Sequence, residues 1–298
     1  MEKKKKIIVT GASGFVGINF IEKYSDRYDI VPISLRTTKV EDIDFKDIDC
    51  VLHLAALVHQ MKGAPEEKYF EINRDLTEKL AVRAKENGVR HFVFYSTVKV
   101  YGYDGDLYNH NFVLDINSEC KPNDPYGQSK YEAEEILRQL EGKSSEEEQV
   151  TSDVFQVMCI RPPMIYGAGV KGNMTNLVKL VKKFPILPFN YNENKRSIVS
   201  INNLLELTKK VIDKEERGIY IPTDGEAVSI KQMVEGIGEG LDKKVILIKF
   251  PDFIYKLLCK VKPNIMVRLY GSLQFKGNNQ PVESMKDGLR GMIGGVKE

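Results

Sequence analysis

Short apolar runs alternate with segments of helical period along the first half of the chain. Ile7–Thr10, Ile30–Ser34, Cys50–Leu54, Phe92–Ser96 and Phe155–Ile160 are brief stretches rich in Ile, Val and Phe, and each predicts a strand buried on both faces. Between them, Ile18–Tyr24, Asn73–Asn87 and Tyr126–Leu140 space their apolar residues for one helical face. Strands and helices taking turns predict a parallel sheet with right-handed crossovers and helices on both sides, an α/β fold of the doubly wound type. Thr37–Asp49 is short for a further strand, so one sheet element is expected to be abbreviated or missing. Gly142–Ser152, with Glu146, Glu147 and Glu148, reads as an exposed polar loop.

Beyond Pro162 the pattern changes. Pro, Gly and Asn cluster at Pro185–Asn194, and helix and strand signals mix afterwards. Phe253, Ile254, Leu257, Leu258 and Val261 form a helical stripe before Pro263; it is assigned to the core, with contact to a membrane surface as the alternative.

The stretch Thr10-Gly11-Ala12-Ser13-Gly14-Phe15-Val16-Gly17 follows an apolar run and opens into the first helix. A strand, a glycine turn and a helix in this order seat a dinucleotide pyrophosphate on free N–H groups at the positive end of the helix dipole. Gly11 permits the tight reversal, Gly14 the approach of backbone to phosphate, and Gly17 the close packing of helix on strand. Gly11, Ser13, Gly14, Phe15, Val16 and Gly17 are therefore candidate cofactor contacts. The spacing is GxxGxxG rather than GxGxxG, and glycine turns also occur without a ligand, so a second signal is needed.

Tyr126-Gly127-Gln128-Ser129-Lys130 supplies one. A separation of four places the phenol and the ammonium one turn apart on one helix face, where a cation is expected to lower the phenol's pKa toward the range of a general acid or base. The run Phe92–Tyr95 ends in Ser96 and Thr97, and ligands of open α/β sheets sit at such strand ends. Taken alone, Thr97 is a strand-closing hydroxyl and Lys130 a solvated lysine.

These stretches, with His53-Leu54-Ala55-Ala56, Asn73, Ser96-Thr97-Val98-Lys99-Val100-Tyr101-Gly102 and Arg161-Pro162-Pro163-Met164-Ile165-Tyr166-Gly167, resemble the extended short-chain dehydrogenase/reductases. Within these the chain is most similar to the NAD-dependent epimerase/dehydratase group acting on nucleotide sugars, and the resemblance spans almost the whole chain. It implies a Rossmann-type dinucleotide-binding domain over 1–162, to which the chain returns at about 197–222, and a smaller interleaved substrate domain from 163–196 and 223–298. It implies that Tyr126 exchanges a proton with a sugar oxygen, that Thr97 and Ser96 hydrogen-bond that oxygen, and that Lys130 holds the nicotinamide ribose. Leu54, Ala55, Ala56 and Asn73 are implied to seat the cofactor, and Lys99, Asn173, Arg196 and Arg268 to meet the substrate, the arginines as diphosphate clamps or else as surface ion pairs.

Group members that eliminate water carry an Asp-Glu pair after the catalytic Thr; Val98-Lys99 stands there instead, so dehydration is not expected. Two reactions remain, 4-epimerisation and one-way reduction of a 4-keto sugar, on a UDP-hexose or UDP-N-acetylhexosamine in surface-polysaccharide synthesis. The second strand ends Ile33-Ser34-Leu35-Arg36, without the acid that binds ribose hydroxyls in NAD-selective folds; Ser34 and Arg36 suit a 2′-phosphate, which tilts the expectation from NAD toward NADP. A dinucleotide-binding sensor without catalysis is the alternative from another class. The resemblance also implies a homodimer through helices Asn73–Asn87 and Tyr126–Leu140.

Composition narrows the field further. A chain of 298 residues, 42% apolar, has enough material for a large core. With 44 basic and 42 acidic residues, nothing predicts a nucleic-acid partner. No apolar run approaches the roughly 20 residues of a membrane span, so no membrane span is expected. Cys50, Cys120, Cys159 and Cys259 are scattered and lack CxxC spacing, and His59, His91 and His110 form no cluster, so a reduced, cytoplasmic setting without metal is expected. His53, inside an apolar run, is expected to be a packed residue.

Overall fold

The computed structural model describes residues 3–58, 64–141, 154–170 and 172–294. In chain order the first elements are β1 (Lys6–Thr10), α1 (Phe15–Tyr24), β2 (Asp29–Ile33), β3 (Cys50–His53), α2 (Glu66–Phe70), α3 (Leu76–Glu86), β4 (His91–Tyr95), β5 (Val113–Leu114), α4 (Pro125–Leu140) and β6 (Gln156–Ile160). There follow β7 (Met164–Tyr166), α5 (Asn173–Lys183), β8 (Ile186–Leu187), β9 (Ile198–Ser200), α6 (Ile201–Lys214), β10 (Gly218–Tyr220) and α7 (Ile230–Gly240). The last are β11 (Ile246–Leu247), α8 (Asp252–Val261), α9 (Pro263–Tyr270), β12 (Gln274–Phe275) and α10 (Met285–Gly294).

The chain forms two compact units, the first made of 1–102, 119–161 and 205–220, the second of 103–118, 162–204 and 221–298. Two stretches depart from the expected division. Residues 103–118 belong with the second unit, where β5 pairs with β12, and 197–204 do too, because β9 pairs with β7. Gly142–Ser152 lies outside the described residues.

The first unit is built on a six-stranded, all-parallel sheet of order β10-β6-β4-β3-β1-β2. The order reverses at β1, whose neighbours are β2 and β3, so a crevice opens at the carboxyl ends of β1 and β3. Thr37–Asp49 contains a single 3-10 turn at Val40–Asp42 and no strand, as its length predicts. Val40, Ile43, Phe45 and Ile48 nonetheless fill the core beside Leu80, Phe92 and Leu137.

A buried ion pair fastens α4 to the sheet. Arg161, just past β6, donates from Nε and Nη2 to Glu134 and from Nη1 to the Tyr101 hydroxyl at 2.8 Å. Both charged side chains are withdrawn from water.

The second unit has its own apolar core, in which Tyr166, Val178, Val234, Met266 and Leu289 meet. The stripe on α8 departs from its assignment to that core: Ile254 and Leu258 are half-buried, but Phe253, Leu257 and Val261 are exposed. The neighbours of α8 cover only one side of it, and the periodicity of the segment carried no information about which side.

Glu134→Ala leaves a buried guanidinium without its partner and is expected to lower stability by ~3–5 kcal/mol, against less than ~1 kcal/mol for Glu71→Ala at the exposed Lys68 pair. Urea unfolding followed by circular dichroism measures both.

Candidate active site

The glycine turn follows β1 directly. Gly11 adopts φ +68°, and a Cβ there would lie 2.7 Å from the Ala55 nitrogen, so the turn and the segment after β3 are in backbone contact. At Gly17 a Cβ would meet the Gly11 oxygen at 2.5 Å, which presses α1 onto the turn. Gly14 stands at the N-cap with extended backbone and no side-chain cap, so the first-turn N–H groups of α1, from Phe15 onward, keep their donor capacity for an anion. Ser34 and Arg36 are exposed just past β2, whose Ile33 pairs with Thr10 at the same end of the sheet.

One buried histidine organises the segment after β3. Thr77 Oγ spends its proton on the Asn73 carbonyl (2.8 Å), so it accepts from His53 Nε2, also at 2.8 Å. Burial pushes His53 down to about 3, so the ring is neutral and its bare Nδ1 accepts from Thr10 Oγ (2.7 Å). Thr10 Oγ in turn accepts from the Ala55 N–H at 3.3 Å. His53 is thus more than packing, because it fixes Ala55. Asn73 lies in a π-helical turn, Glu71–Asp75, which interrupts the single helix predicted over Asn73–Asn87. Its amide clasps Leu57 through both backbone groups and donates to Ser129 Oγ at 3.0 Å. Asn73 is fully buried, so what it shows here is positioning of the chain after Ala56.

Helix α4 begins where its sequence says. Asp124 caps it by accepting from the Gly127 N–H at 2.7 Å, and Pro125 occupies the first turn. Asp124 also pairs with Lys99 at 3.2 Å, and a Cβ on Gly127 would come within 2.7 Å of the Lys99 oxygen. The start of α4 is thereby held against the turn that follows β4. Thr97 and Tyr126 meet as a result, with Lys130 one helical turn beyond Tyr126. Thr97 Oγ accepts from the Lys99 N–H at 3.2 Å and is hydrogen-bonded to the Tyr126 hydroxyl. Ser96 Oγ is buried with no hydrogen-bond partner among the described residues, a polar group whose capacity is unspent. Lys130 Nζ stands 4.0 Å above the Phe94 ring.

The electrostatics reverse one expectation. Burial pushes the Tyr126 phenol up to about 12, with the Thr97 hydrogen bond pulling the other way, and Lys130 is not among the charges that act on it. Burial likewise pushes the Lys130 ammonium down to about 7, opposed by the Glu134 charge. Helical spacing sets the two side chains one turn apart, but desolvation, and not the neighbouring group, decides the direction of each shift. Phe94, Glu134 and Arg161 were missed as supports of the site. The signal available was Glu134, one further turn along the helix face that carries Tyr126 and Lys130.

Asn173, Arg196 and Arg268 stand in the second unit. Asn173 is exposed at the start of α5. Arg196 Nη1 donates to the carbonyls of Val267, Arg268 and Gly271, each at 3.1 Å, and so caps the end of α9. Arg268 is exposed. Among the described residues no group of three or more His, Cys, Asp or Glu forms a metal site.

The sequence profile of the NAD dependent epimerase/dehydratase family matches residues 7–221. UDP-glucose 4-epimerase of Vibrio cholerae is 38% identical over 296 aligned residues, covering 91% of this chain and 87% of that protein. N-acetyl-alpha-D-glucosaminyl-diphospho-ditrans,octacis-undecaprenol 4-epimerase of Escherichia coli O157:H7 is 28% identical, covering 82% and 75%. Among solved structures, UDP-glucuronic acid 4-epimerase from Bacillus cereus in complex with NAD superposes with TM-score 0.71 at 17% identity, covering 98% of both chains. dTDP-4-dehydrorhamnose reductase from Bacillus anthracis in complex with NADP gives 0.72 at 17% identity, covering 99% of this chain and 100% of that one. Both likenesses concern the fold.

Lys130 generates a pH prediction. Its folded pKa, about 7, lies below the ordinary 10.5, so between these values the unfolded chain binds a proton that the folded chain does not. Stability from this group therefore rises with pH across that window. Lys130→Met is expected to flatten the rise, read as urea midpoints at about pH 7.5 and about pH 9.5.

Proposed function

Because this chain belongs to the NAD dependent epimerase/dehydratase family, we propose that it is a nucleotide-sugar 4-epimerase, acting at C4 of a UDP-hexose or UDP-N-acetylhexosamine with a nicotinamide dinucleotide. The observation that carries this reading is the meeting of Thr97, just past β4, with Tyr126 on α4, one helical turn before Lys130, in the unit that holds the glycine turn. Two relatives named as 4-epimerases support the choice of carbon.

The residues present fit such a cofactor. The uncapped start of α1 and the Gly11 turn suit its pyrophosphate, held by Gly11, Ser13, Gly14, Phe15, Val16 and Gly17, while Leu54, Ala55 and Ala56 line the β3 side and Lys130 holds the ribose. Bound there, the nicotinamide supplies reversible hydride acceptance at the sugar carbon. Tyr126 takes the proton of the C4 oxygen and gives it back, and Thr97 and Ser96 hydrogen-bond that oxygen. The burial that raises the phenol also strengthens the pull of any cation brought against it. Asn173 and Arg268, both exposed, serve the diphosphate; Arg196 already spends Nη1 on α9, and Lys99 is committed to Asp124. The homodimer, the cytoplasmic setting and the role in surface-polysaccharide synthesis belong to the same proposal.

One observation favours a second reading. Ser34 and Arg36 are exposed past β2, where no acid stands, which suits NADP and a one-way 4-keto reductase.

Tyr126→Phe is expected to lower turnover by about 10²-fold or more with cofactor binding unchanged, as measured by steady-state rates and cofactor titration; unchanged turnover would remove Tyr126 from its role, whereas cofactor binding without any turnover in the wild type would favour a sensor. A panel of UDP-sugars, read by NMR for C4 configuration, is expected to show inversion without added NADPH. No inversion across the panel, with stoichiometric NADPH oxidation on a 4-keto UDP-sugar, would select the reductase. Arg36→Ala is expected to weaken NADP binding about tenfold and leave NAD binding unchanged if the second reading holds.

A further inference from the structure

Helix α8 turns one side to its unit and leaves the other uncovered. Tyr255, Leu258 and Cys259 pack against the second unit's core, whereas Phe253, Leu257 and Val261 are 73, 58 and 60% exposed. Ile265, on α9, is 52% exposed. Ile246 and its strand partner Ile186, on the sheet that leads into α8, are exposed as well, as is Ile248. At about 100° per residue, Phe253, Leu257 and Val261 span a narrow strip of helix surface, and Lys256 and Lys260 fall along one edge of it. Lys256, Lys260 and Lys262 are exposed and make no ion pair among the described residues.

Charge is concentrated on the same segment. From Asp242 to Arg268 there are seven basic residues against two acidic ones, although the whole chain carries only +2. Within this segment Lys249 is paired with Glu193 and Lys243 donates to the Val181 and Lys182 carbonyls, so the positive charge beside the row is that of Lys256, Lys260 and Lys262.

We propose that α8 and the start of α9 form a docking surface for an anionic phospholipid membrane. Phe253, Leu257, Val261 and Ile265 enter the boundary between headgroups and acyl chains, and Lys256, Lys260 and Lys262 meet the lipid phosphates. An apolar row edged by unpaired lysines suits this occupant better than a second copy of the chain, because the cores of protein interfaces are depleted in lysine. No helix among the described residues is long and apolar enough to cross a membrane, so the contact is peripheral. The proposal goes beyond the epimerase reading and does not need it.

Flotation of the whole protein with vesicles tests it. Binding is expected to vesicles of mixed phosphatidylcholine and phosphatidylglycerol at low salt, and not to phosphatidylcholine alone. The double variants Phe253→Ser/Leu257→Ser and Lys256→Glu/Lys260→Glu are each expected to cut the bound fraction about tenfold. Both alter exposed positions, so the melting curve and the turnover of a water-soluble UDP-sugar should not change. Wild-type protein that ignores the mixed vesicles, or variants that bind as well as wild type, would overturn the proposal. Light scattering that shows a dimer dissociated by Phe253→Ser/Leu257→Ser would assign the row to a second copy and overturn it equally. Failure of turnover with vesicle binding intact would count against the epimerase reading alone.

Discussion

The site depends on α4 being unable to move. The helix carries Tyr126 and Lys130, and three attachments hold it: Asp124 at its start, Gly127 against the Lys99 carbonyl, and Glu134 bound to Arg161. Of these the Glu134 pair is the most demanding. Two charges withdrawn from water are tolerable only when hydrogen bonds satisfy both, and Nε, Nη1 and Nη2 of Arg161 all find acceptors. A geometry that strict allows α4 one position relative to β6, and therefore one position of the Tyr126 hydroxyl relative to Thr97.

The segment after β3 obeys a similar rule with neutral groups. His53 links Thr10, at the end of β1, to Thr77 and the π-helical turn, and each donor in that chain has a single acceptor open to it. Reversing any one bond would leave a buried polar atom unpaired, so the chain is rigid as well as satisfied. The π-helical turn holds Asn73 against both Leu57 and Ser129, joining the segment after β3 to α4. Lys130 and His53 both stand against Phe94, so burial is what makes one less basic and the other neutral.

Much of this was legible along the chain. The five strands read from apolar runs are present in the sheet, and Asp124-Pro125 announces a helix start wherever it occurs before such a pattern. The sixth strand, β10, was covered only by the expectation that the chain returns to the sheet, because Gly218–Tyr220 is too short to show a period. The π-helical turn was invisible for a related reason: a single inserted residue does not disturb an apolar stripe enough to be seen. Arg196 looked like a phosphate ligand because an arginine near a turn carries no mark of whether its donors face a ligand or, as Nη1 does here, the end of a helix.

Local sequence determined the elements, the glycine turn and the set of side chains able to exchange a proton, since propensity, capping and spacing act within a few residues. Tertiary structure decided what those groups are worth. That Tyr126 is raised and Lys130 lowered, that His53 is neutral and bridging, and that three of the five stripe residues on α8 face outward all depend on which distant atoms exclude water from each group. Desolvation is set by the whole packed unit, and no window of the sequence contains it.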